Sequence, residues 1–118
     1  MSVSGEYIEY VVDQLGCIGA VTAKRMFGGV GLYHDGLFFG LIASDMLYFK
    51  VDDDNRSAYE SARSKPFQPY GDGSYSMNYY EVPVDVLEDV DQLRTWANEA
   101  VAAASRKVSR SKKKRKSL

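Results

Sequence analysis

This chain of 118 residues has one cysteine, one histidine, one tryptophan and three prolines. A single cysteine, Cys17, cannot form an internal disulfide, which suits a reducing compartment. One histidine and one distant cysteine do not make the ligand set of a zinc site. The opening MSVSGEYIEY carries acids where a secretory signal needs a basic region followed by an apolar run. No stretch approaches the roughly 18 consecutive apolar residues of a membrane helix. A soluble cytoplasmic protein without a membrane partner is therefore expected. Catalytic constellations are missing too. No nucleophile, base and orienting acid fall into a recognisable pattern, so no enzyme, cofactor or metal is expected.

What is present is one modest domain, 45% hydrophobic and 13% aromatic, too apolar for a disordered chain. The net charge of −1 hides a sharp division. Residues 105–118 hold Arg106, Lys107, Arg110, Lys112, Lys113, Lys114, Arg115 and Lys116 and no acid. Residues 1–104 hold the other seven basic groups and all 16 acids. The expected organisation is a folded acidic domain over 1–104 and a basic tail over 105–118, frayed and then disordered.

Val3, Tyr7, Ile8, Val11, Val12 and Leu15 recur at helical steps, with Ser2 or Ser4 to cap the start and Gly16 to end the helix. Residues 17–24 read as a connection. Three antiparallel strands follow over 25–53, joined by turns at Asp35-Gly36 and Ser44-Asp45. In the second strand, strict alternation sets Leu37, Phe39 and Leu41 against Phe38, Gly40 and Ile42; in the third, Leu47, Phe49 and Val51 oppose Met46, Tyr48 and Lys50. Asp52-Asp53-Asp54 opens a short helix over 55–62, which Lys65-Pro66 ends. Two strands are expected at Phe67–Tyr70 and Ser74–Val82, turned by Gly71-Asp72-Gly73. A last helix starts after Pro83, its stripe running from Val86 and Val90 through Leu93, Ala97 and Ala100 to Ala104. The order is helix, three strands, helix, two strands, helix. It predicts an α+β two-layer sandwich with helices on one face of a five-stranded antiparallel sheet.

The segment Arg25-Met26-Phe27-Gly28-Gly29-Val30-Gly31-Leu32-Tyr33 with Asp35-Gly36 resembles the opening of the TfoX N-terminal domain family. Leu47–Asp52, Pro66-Phe67, Met77–Pro83 and Trp96 are similar to later family motifs, so the likeness covers about residues 5–104. The resemblance implies the sandwich fold and a link to bacterial regulators of competence for DNA uptake, which act with a cyclic-AMP receptor protein at promoters. It supplies no catalytic residues. The longer regulators carry a second helical domain, where this chain has a basic tail.

Four candidate sites remain. The glycines Gly28, Gly29 and Gly31 lie in a strand rather than before a helix, so a phosphate cradle is set aside for a bulge or the close approach of a helix. His34 beside a hairpin turn, with Lys24 and Arg25, forms the alternative reading, a ligand-binding or enzymatic cleft. Tyr48, Tyr70, Tyr75, Tyr79 and Tyr80 on one sheet surface would suit a protein partner or a second copy of the chain. The acidic body disfavours base stacking there. The basic tail suits nonspecific contact with DNA or RNA. The leading expectation is a non-enzymatic regulatory domain working through a protein partner, such as transcription machinery or a receptor-type regulator.

Overall fold

In a computed structural model of the chain, residues 4–26, 28–68 and 78–116 are described, with side chains as far as Ser109. Helix α1 spans Gly5–Leu15 and buries Val11 and Leu15. Ser4 is its cap: the hydroxyl accepts from the Tyr7 N–H at 3.1 Å. The Ser4 N–H donates at 2.8 Å to the Asp45 carboxylate, tying the helix start to a distant sheet turn. Gly16 closes the helix and a single 3-10 turn, Gly16–Ile18, follows. Cys17 lies there, half-buried against the core.

A four-strand meander comes next, with β1 at Thr22–Met26, β2 at Gly29–His34, β3 at Leu37–Ala43 and β4 at Met46–Lys50. After helix α2, Arg56–Ser61, strand β5, Tyr79–Glu81, completes an antiparallel sheet in the order β1-β2-β3-β4-β5. Asp35 and Gly36 have φ of 51° and 77°, and Ser44 and Asp45 have 51° and 55°, so both expected hairpins use mirror-image turns that match strand twist.

The α+β sandwich stands, with its strands differently apportioned. The glycine-rich stretch expected as one strand is a hairpin. Met26 pairs with Gly29, and Gly28 turns the chain at φ 80°, a conformation that costs a side-chain-bearing residue about 1 kcal/mol or more. The first strand therefore begins at Thr22, inside the expected connection. Of the expected 67–70 edge region, Phe67 donates its N–H to the Tyr79 carbonyl at 2.7 Å, beside an isolated bridge from Pro66 to Tyr80. Tyr70, Tyr75 and the Gly71-Asp72-Gly73 turn lie outside the described residues.

Strict alternation also fails in β3. The pairing runs Leu32 to Gly40 and Tyr33 to Phe38, which leaves Phe39 as an extra residue in a bulge. Leu37, Phe39 and Ile42 consequently join the main core, while Phe38, Leu41 and Ala43 face the other way. In β4 the expected alternation holds.

The single helix expected after Pro83 is two, α3 at Val84–Leu87 and α4 at Val90–Lys116. Asp89 makes the break, its carboxylate accepting from the Asp91 and Gln92 N–H groups at 3.1 and 3.3 Å. Those bonds, led by one from the Gln92 side chain, hold its carboxyl below the usual range. Leu93, Ala97, Ala100 and Ala104 are buried along α4, and these small side chains let the helix lie close on the sheet. Backbone helicity continues past Ala104, where the apolar pattern fades, to Lys116.

Candidate functional site

Where β4 ends, the chain passes beneath α4 and opens a cleft of about 310 Å³ lined by Lys50, Val51, Asp52, Asp53, Arg56, Asn78, Ala103 and Lys107. Its floor is held by the backbone. Asn55 bridges the loop, donating through its side-chain amide to the Lys50 carbonyl at 3.1 Å and accepting from the Asp52 N–H at 2.8 Å. Val51 N–H donates to the Asn78 carbonyl at 2.9 Å. The acidic cluster does not cap α2 as expected: Asn55 occupies that position, and Asp52 turns to another partner.

That partner is Arg106 on α4. Its Nε and Nη2 donate to the two Asp52 oxygens at 2.7 and 2.9 Å, a bidentate fork, and Nη1 lies 3.5 Å from Asp54. The hydrogen bonds to Asp52 raise the guanidinium pKa further above its usual value. Arg56 pairs with Asp53 through a single Nη1 contact, three residues apart on the chain.

Lys50 and Lys107 are different. Lys50 is 6% exposed, and its ammonium sits 5.1 Å from the centre of the Tyr79 ring. Among the described residues neither lysine forms an ion pair. Burial lowers the Lys50 pKa, and the nearby Lys107 ammonium lowers it further, against a smaller pull from Asp52. The cleft therefore presents two apposed positive charges, one of them desolvated.

The other sequence candidates disperse. His34 Nδ1 donates to the Ala20 carbonyl at 2.8 Å, which fixes that nitrogen as the protonated one, while Nε2 lies 3.5 Å from Asp35. Lys24 lies over the Tyr33 ring at 5.2 Å, and Arg25 is exposed on β1; neither they nor His34 line the cleft. Tyr48 and Tyr79 share the helix-free face of the sheet, where Tyr48 meets Phe67 and Tyr79 meets Phe38 at ring distances of 5.0 and 5.4 Å. Tyr79 is only 4% exposed, and burial pushes its pKa up to about 12. Tyr80 faces the opposite way, 5.8 Å from Tyr59 in the main core. Aromatic side chains on that sheet face are therefore packed largely against one another.

Gly29 and Gly31 are structural, but among the described residues the atoms that crowd them come from strands rather than a helix. A Cβ on Gly29 would stand 2.7 Å from the Ile42 carbonyl oxygen, and one on Gly31 would stand 2.8 Å from the Met26 methyl. Met26, Phe38 and Tyr33 fill the space over Gly31. Of the residues assigned to a tail from composition, Lys107 lines the cleft and Arg106 holds the lining residue Asp52. Lys50 was missed, although a lysine between Phe49 and Val51 in a packed strand was its signal. Among the described residues no group of three potential metal ligands gathers, and no helix is long and apolar enough to cross a membrane.

A two-layer sandwich with a charged cleft and a basic helical extension defines a small α+β domain. Its sequence matches the model of the TfoX N-terminal domain over residues 13–104, and the chain belongs to that family. No match was found among curated proteins.

Proposed function

We propose that this domain is a non-enzymatic regulatory module that contacts nucleic acid through the basic end of α4 while its body engages a protein partner. The carrying observation is the placement of the basic run. Residues 106–116 hold eight basic groups and no acid, and they continue a helix whose earlier turns are buried in the core. Clustered cations on such a support displace counterions from phosphates without reading sequence. The family resemblance supports the finer reading, a role in transcriptional control of competence with a receptor-type regulator as partner.

Two of the eight basic groups already serve the cleft. Arg106 holds Asp52, and Lys107 stands opposite Lys50. Six remain: Arg110, Lys112, Lys113, Lys114, Arg115 and Lys116. If each meets a phosphate, log K for duplex DNA falls against log salt with a slope near −5, from about −0.9 per contact. Fluorescence anisotropy on a 20-base-pair duplex, with the intact chain and a variant carrying glutamine at all six positions, measures this. A slope near zero for the intact chain, or one unchanged in the variant, rejects the nucleic-acid role. Capture of a protein partner by the intact chain tests the remainder.

A further inference from the structure

The cleft between β4, α2 and α4 has a charge arrangement that the nucleic-acid reading does not use. Its charged lining is Lys50, Arg56 and Lys107 against Asp52 and Asp53, with Arg106 and Asp54 beside it. Arg106 occupies both oxygens of Asp52, Arg56 takes Asp53, and the Asp54 side chain is 70% exposed to water. Lys50 and Lys107 both line the cleft, and among the described residues neither forms an ion pair.

A buried lysine without an ion pair beside a second one costs stability, and a structure keeps such a pair most readily where an anion neutralises it. Two point-like ammoniums complement a dianion better than a carboxylate, which would leave one of them unmatched. A cleft of about 310 Å³ lies at the small end of ligand sites, room for a phosphate group with a short organic part. Asn78 also lines the cleft, its carbonyl already accepting from the Val51 N–H.

We infer that this cleft binds the phosphate group of a small phosphorylated metabolite, gripped between Lys50 and Lys107. The depressed Lys50 pKa accords with this, because an arriving dianion offsets both the desolvation and the repulsion that lower it.

The test is a titration of the intact chain with inorganic phosphate and with glycerol 3-phosphate, followed by the lysine side-chain carbon resonances. Sodium chloride at matched ionic strength is the control, and the DNA duplex is a competitor. Saturable shifts at Lys50 and Lys107 with Kd on the order of millimolar are expected. Lys107→Gln and Lys50→Met should each weaken binding about tenfold. Lys107 is exposed on the surface, so its variant reports even where the buried substitution impairs folding. Binding should also weaken at pH 5, where phosphate is a monoanion with second pKa about 6 to 7. The glutamine variant of the six distal residues should bind phosphate unchanged, which separates this site from the nucleic-acid surface. Shifts reproduced by chloride, shifts untouched by either lysine substitution, or competition showing that only the duplex occupies the cleft would each overturn the assignment.

Discussion

Replacing Tyr59 by phenylalanine should make this protein more stable, against the usual cost of altering a core residue. Tyr59 on α2 is 1% exposed, its ring 4.6 Å from Trp96 and 5.8 Å from Tyr80. Among the described residues its hydroxyl has no hydrogen-bond partner, and burial drives its pKa well above the tyrosine range. In the unfolded chain that hydroxyl is hydrated, so folding forfeits its water bonds for nothing. An unsatisfied buried polar group costs about 1–3 kcal/mol. Phenylalanine keeps the ring and its aromatic neighbours while removing the oxygen. The expected gain is about 1 kcal/mol, the low end, since the oxygen leaves a small gap behind. With an unfolding entropy of about 0.25 kcal/mol/K for a domain this size, Tm should rise by about 4 °C. Urea unfolding at pH 7 and calorimetry of both proteins would read it, with the urea m-value unchanged. Tyr59→Ala is the counter-control and should lose about 3–5 kcal/mol. A Tyr59→Phe protein less stable than its parent by about 0.5 kcal/mol or more would refute the reasoning, because it would mean the hydroxyl bonds something in the native state.

The half-buried fork between Arg106 and Asp52 should show a coupling of about 1–2 kcal/mol in a double-mutant cycle of Arg106→Gln and Asp52→Asn; a coupling below about 0.3 kcal/mol would reduce it to a surface pair. Gly29→Ala should destabilise by about 1–3 kcal/mol, since its methyl meets the Ile42 carbonyl of a paired strand, and thermal unfolding would show it. Tyr79, with its pKa raised to about 12, stays protonated in the folded state where the unfolded chain has already ionised. Stability is thus whole below pH 10 and falls between pH 10 and 12 by up to roughly 3 kcal/mol, a decline that Tyr79→Phe should flatten in pH-dependent urea unfolding. Lys50 acts with the opposite sign: its depressed pKa means the unfolded chain binds the proton more tightly. Stability therefore climbs as pH rises toward 10.5, and Lys50→Met should remove that climb.

Signals confined to one stretch of chain were legible, and those that depend on a neighbour were not. The stripe from Tyr7 to Leu15 and the paired turn residues at 35–36 and 44–45 carry their own geometry, so α1 and both hairpins follow from local pattern. In β3, the extra Phe39 shifts the parity of everything after it, and the bulge exists only relative to β2. The glycines at 28 and 29 serve a turn and a strand in immediate succession, which periodicity cannot divide. The break between α3 and α4 depends on the Asp89 carboxylate bonding backbone amides, which the apolar stripe through Val86 and Val90 does not show. The cleft was least legible. Lys50 on β4 and Lys107 on α4 have α2, β5 and α3 between them, and the charge run that made Arg106 and Lys107 conspicuous also assigned them to a tail. Tyrosine count, the signal for a partner surface, could not distinguish Tyr79 from Tyr80, adjacent residues on opposite sides of one strand.

The arginine fork also decides where α4 can come apart. A helix unravels from its terminus in single turns, and the turns beyond Ser109 carry no apolar stripe to resist this. At Arg106 the process meets two charge-assisted bonds, and one turn further in it must prise Ala103 and Ala104 off the sheet. Fraying and trimming are thereby halted at a rivet, so the cationic extremity can melt and re-form while the body beneath it stays assembled.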